Sequence, residues 1–203
     1  MNELKRCGLL LGALMVVSQT AIAHGPSAHV HGIASLQIAV DGPRLTLNLS
    51  SPLDSFLGFE RAPRTDKEKA AAVDLLARLK KPEALLVPTE AAACVLASSK
   101  VDAPVLEGRP APASRAAPGK DGTAKAGDVK GKGKGGEAEK DSDEHAELTA
   151  QYIFQCQRPE NLRGLQAALF DNFRRMREIN VQVVGPKGQS AAKLTRTKRT
   201  VTW

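Results

Sequence analysis

The chain has little that would carry it across a membrane. Its only extended apolar run covers residues 7–17 of 203. That is shorter than the roughly 20 residues a helix needs to span a bilayer. It also lacks the local signatures of common catalysts: there is no nucleophile elbow and no H-E-x-x-H pair. The chain is therefore expected not to be an enzyme. Cysteine and histidine are scarce, with three of the first and four of the second. The net charge of +7 is modest for a nucleic-acid binder.

What is present begins with an export signal. Lys5 and Arg6 precede the apolar run, and Ala21-Ile22-Ala23 gives small residues where signal peptidase cuts. Residues 1–23 are expected to leave, so that the mature chain starts at His24 and is not membrane-spanning. Cys7 lies ahead of the apolar run without the small-residue context of a lipid-anchoring box. Loss of Glu3, Lys5 and Arg6 lowers the charge from 29 − 22 = +7 to 27 − 21 = +6. An exported protein of that charge is expected to have no nucleic-acid partner.

Cleavage also removes Cys7 and leaves Cys94 and Cys156. In an oxidising space an even pair defaults to a disulfide. It would close a loop of about 60 residues, worth roughly 4 kcal/mol in the chain-entropy model. Thiolate metal ligands usually stand closer together than these two.

Residues 101–144 carry Pro104, Pro110, Pro112 and Pro118, then a Lys/Gly run at 130–136 and an acidic end at 137–144, with no aromatic residue. Such a segment buries too little apolar surface to offset its ordering entropy, and a disordered linker is expected. It divides the mature chain into halves at 24–100 and 145–203, each small for a core of its own. The class expected is α+β: antiparallel strands with one or two helices per half.

Within the first half, Ala34, Leu36, Ile38 and Val40 alternate with a second set, Asp41-Gly42-Pro43-Arg44 turns, and Leu45, Leu47 and Leu49 alternate again. That pattern predicts a β-hairpin. An irregular apolar loop follows at 51–63. Thr65 with Glu68 predicts a capped helix over 65–80, and short strands follow near 84–87 and 93–97. In the second half a strand is predicted over 146–156, a helical stretch over 159–177, and strands around Val181, Val183 and 193–201. Arg174-Arg175-Met176-Arg177 reads as a solvated helix face. Each half opens a strand near a histidine, which points to a weak internal duplication with two pseudo-symmetric halves.

The four histidines are His24, His29, His31 and His145. If the first strand extends back to them, His29 and His31 project from one face, opposite Ala34 and Leu36. His145 lies at the matching end of the second half. If the halves pair, His29, His31 and His145 converge, a set that suits Zn²⁺ with Glu144, Glu147 or water completing a tetrahedron. An alternative uses the free amine and imidazole of His24 with His29 or His31, a nitrogen set that favours Cu²⁺. A metal-free adaptor is the third reading.

Several motifs together resemble a known family. They are Ala28-His29-Val30-His31-Gly32-Ile33-Ala34, Ser51-Pro52, Leu57-Gly58-Phe59-Glu60-Arg61-Ala62-Pro63, Ala92-Ala93-Cys94, His145-Ala146-Glu147 and Tyr152-Ile153-Phe154-Gln155-Cys156. Their order is similar to that of the ZrgA-like periplasmic zinc-uptake proteins. The resemblance implies a periplasmic, non-enzymatic zinc-binding protein that hands metal to a membrane transporter. It also implies pairing of Cys94 with Cys156 and a histidine site where the halves meet. The chain departs from the pattern in two places. A Lys/Gly/Ala/Asp segment replaces the His-rich insert, and Arg61 stands where a histidine is usual. Both remove imidazoles and leave at most one compact site.

Overall fold

A computed structural model describes residues 30–109 and 146–203. The expected signal segment 1–23, most of the expected linker, and His24, His29, Glu144 and His145 lie outside the described residues.

The elements in chain order are β1 (Ile33–Asp41), β2 (Arg44–Pro52), α1 (Asp54–Leu57), α2 (Asp66–Leu79), β3 (Leu86–Pro88), β4 (Cys94–Asp102), β5 (Glu147–Cys156), β6 (Gly164–Ala167), α3 (Leu169–Asn172), β7 (Glu178–Gly185), β8 (Gly188–Thr195) and β9 (Thr200–Thr202). The class is α+β with strand predominating. Six strands form one sheet in the order β4-β5-β2-β1-β7-β8, and β3-β6-β9 form a second. All pairings are antiparallel except β1 with β7. Strands from before and after the undescribed middle share the large sheet, with β5 lying between β4 and β2.

The alternating residues fix which face is buried. Leu36, Ile38, Leu45, Leu47, Leu49, Leu148, Tyr152, Phe154, Ile179, Val181 and Val183 are buried in one cluster. Leu75 and Leu79 of α2, Leu86 of β3, Leu165 of β6 and Val201 of β9 join the same cluster. The opposite face carries Gln37, Asn48 and Gln151, with Gln151 Nε2 donating to Asn48 Oδ1 at 3.0 Å. This one-sided burial is the usual state of an antiparallel sheet.

The hairpin forms as its alternation predicts, with Asp41 opposite Arg44 and Gly42 at φ +51° in the turn. The Thr65 helix also forms. Thr65 Oγ1 accepts from Glu68 N–H and the Glu68 carboxylate accepts from Thr65 N–H, a complete capping box. Cys94 and Cys156 are bonded, and they face each other at matching positions of β4 and β5.

Two local expectations are overturned. Residues 159–177 are not one helical stretch: they form a 3-10 turn at Pro159–Asn161, then β6, then the four-residue α3. Leu162, Leu165, Leu169, Phe173 and Met176 have helical spacing and are all buried, but in separate local structures. Gly164 lies so close to β9 that a Cβ there would stand 2.3 Å from the Val201 carbonyl oxygen. That close approach pairs the segment with β9 as a strand. The second correction concerns β1, which begins at Ile33. His31 therefore sits in a turn and not on a strand face, and Ile33 N–H closes that turn onto Val30 O at 3.1 Å.

Candidate metal centre

The turn before β1 is held in several ways. Gly32 adopts φ +80°, a left-handed conformation that disfavours any side chain. Its N–H donates to the buried Ser55 Oγ in α1 at 3.0 Å. Its carbonyl accepts from Arg177 N–H at 2.8 Å and Glu178 N–H at 3.2 Å. The Arg177 guanidinium donates to the His31 carbonyl. A Cβ on Gly32 would meet Arg175 O at 2.8 Å and Arg177 Nε at 2.7 Å.

The loop after β2 supplies two carboxylates. Leu53 N–H donates to Ala146 O at 2.8 Å, which pins the start of the loop beside β5. α1 then presents Asp54 and ends at Gly58, whose φ of +85° turns the chain toward Glu60. His31 Nδ1 lies 2.9 Å from Asp54 Oδ1 and 3.6 Å from Glu60 Oε1. One ligand atom from each of the three lies within 4.8 Å of the others.

This donor set fits a divalent cation. A tetrahedral zinc with bonds near 2.1 Å spaces its ligand atoms about 3.4 Å apart, and the two histidine–carboxylate separations bracket that value. The imidazole is 60 % exposed while the carboxylates are 20 % and 17 % exposed, so the site is open on the histidine side. In the metal-free protein the Nδ1–Asp54 contact is a hydrogen bond or ion pair.

Of the residues singled out from sequence, His31 is at this cluster. Glu147 is in β5, and its carboxylate accepts the Ser50 hydroxyl. His24, His29, Glu144 and His145 lie outside the described residues. Cys94 and Cys156 are joined to each other. Asp54 and Glu60 were not among the expected ligands. The available signal was their company: Asp54 follows Ser51-Pro52-Leu53, and Glu60 ends the Gly58-Phe59-Glu60 run.

Arg61, which stands where the resemblance leads one to expect histidine, turns to α2. Its guanidinium donates to both Glu68 carboxylate oxygens at 3.0 and 2.8 Å and lies 5.1 Å from the centre of the Phe59 ring. The Arg61 bonds and the Arg64 N–H hold Glu68 down at a pKa of about 2.

A search of curated proteins found no match to the chain. A family model described as ZrgA family zinc uptake protein matches residues 28–203, which takes in the His31 turn, both carboxylates and both cysteines. The chain belongs to the ZrgA family of zinc uptake proteins.

Proposed function

We propose that this protein is exported to the periplasm, binds one Zn²⁺ at His31, Asp54 and Glu60, and delivers it to a membrane transporter. It acts as a carrier and not as an enzyme. The observation that carries the reading is the convergence of one imidazole and two carboxylates at the start of β1. Family membership supports zinc as the cargo. In this reading the fourth ligand of the tetrahedron comes from His29 or His145. His145 immediately precedes Ala146, whose carbonyl accepts from Leu53 next to Asp54. We also read the halves as pseudo-symmetric, each opening on a histidine ahead of a long strand, β1 or β5, with the intervening residues as a linker.

Calorimetric titration of the mature chain with Zn²⁺ tests this. One site is expected, with affinity reduced at least tenfold by Asp54→Asn with Glu60→Gln, and lost with His31→Ala and His145→Ala together. Wild-type affinity in the carboxylate double variant would sink the assignment of this cluster. Absence of zinc binding in the wild-type chain would overturn the carrier role.

A further inference from the structure

The segment from Phe170 to Arg177 touches the His31 turn, α1 and Gly58. Arg177 donates from its backbone to Gly32 O and from its side chain to His31 O. The Phe173 ring meets Phe56 of α1 edge-on, with centroids 4.8 Å apart. The Arg175 guanidinium covers Gly58, between the two carboxylates in sequence, so that a Cβ there would stand 2.6 Å from its Cζ. Yet the segment has little regular structure of its own beyond the last three residues of α3.

One side chain organises it. Arg196 follows β8 directly, at the end of the sheet where β1 and β7 begin. Its Nη1 donates to Phe170 O at 2.7 Å. Its Nη2 contacts the carbonyls of Phe173 at 3.5 Å, Met176 at 3.2 Å and Arg174. A planar fork of fixed donors can gather four carbonyls from one irregular loop, which an ammonium on a flexible stem does not match.

We propose that Arg196 is a positioning residue of the metal centre, acting through residues 170–177 on the His31 turn and on α1. The inference rests on the reading of His31, Asp54 and Glu60 as the zinc site. Outer groups that orient metal ligands typically change affinity 10- to 100-fold when removed.

The test uses the mature chain and three readouts: Zn²⁺ affinity, the visible spectrum of the Co²⁺-loaded protein, and amide hydrogen exchange without metal. Arg196→Met is expected to weaken Zn²⁺ about tenfold, alter the Co²⁺ bands, and speed exchange at the Arg177 and Glu178 amides that bond Gly32 O. Arg196→Lys is expected to be intermediate, and it serves as the informative variant if Arg196→Met does not fold. Arg177→Met is expected to change the Co²⁺ bands in the same direction. Cys94→Ser with Cys156→Ser, destabilised elsewhere, is expected to keep the wild-type spectrum. Wild-type affinity and exchange in the Arg196 variants would overturn the proposal. So would an affinity loss that the cysteine variant reproduces. If Asp54→Asn with Glu60→Gln leaves zinc binding intact, the zinc-site reading itself fails, and the exchange data alone then report whether Arg196 orders the turn.

Discussion

The two ends of the six-stranded sheet are built differently. At one end lie the Gly42 turn and the Cys94–Cys156 bond, and Cys156 N–H donates to Pro43 O at 2.8 Å. That end is closed by a tight hairpin and a covalent link. At the other end β1, β5 and β7 begin, and the chain enters through the His31 turn, α1 and residues 170–177. This end is held by Ser55, Arg177 and Arg196 bonding to backbone groups. His31, Asp54 and Glu60 are all at the second end. Regular pairing gives stability where no chemistry is needed. Irregular backbone, fixed by side chains, brings an imidazole and two carboxylates within one ion's reach.

Removing the disulfide should break the comparison most strongly if the ends are independent. Cys94→Ser with Cys156→Ser is expected to cost about 2–5 kcal/mol, measured by denaturant unfolding. At temperatures where the variant stays folded, its Zn²⁺ affinity should match wild type. A large loss of affinity in the folded variant would show that the ends are coupled.

Two glycines sharpen the contrast. Gly32→Ala places a Cβ against the Arg175 carbonyl in a left-handed turn and is expected to cost about 1–3 kcal/mol, with weaker zinc binding. Gly42→Ala, at φ +51° with no atom within 4 Å of the added Cβ, carries conformational strain alone, about 1 kcal/mol, with unchanged zinc binding. Thermal unfolding and metal titration of the pair give both comparisons.

The smallest effect concerns pH. Glu68 is ionised more readily in the folded chain than an ordinary glutamate carboxyl, with a pKa of about 2. A depressed carboxylate contributes stability above its unfolded value and loses it as pH falls toward the folded one. The destabilisation caused by Glu68→Gln should therefore be full at pH 6, shrink below about pH 4.5 and vanish near pH 2, read as the difference in Tm between the two proteins.

The stitched end was readable from sequence and the irregular end was not. Alternation through Leu36, Ile38, Leu45 and Leu47 reports directly on a sheet with one buried face. Thr65 and Glu68 announce a helix start because they bond each other's backbone. The apolar spacing of Leu162, Leu165, Leu169, Phe173 and Met176 mimics a helix. Nothing local reveals that Gly164 pairs with β9 or that Arg196 gathers the loop carbonyls, since those partners lie tens of residues away. His31 was found because histidine is rare in the chain. Asp54 and Glu60 were missed because acidic residues are common and their convergence on His31 is set by Gly58 and by the Ser55–Gly32 bond. The basic run at 174–177 has the pattern of a solvated helix face, whereas Arg177 bonds the backbone of His31 and Gly32.

The most direct test is a crystal structure of the zinc-loaded mature chain with anomalous data at the zinc edge. One zinc peak is expected about 2.0–2.2 Å from His31 Nδ1 and from a carboxylate oxygen of Asp54 or Glu60. A zinc bound elsewhere, with His31 still paired to Asp54, would contradict it.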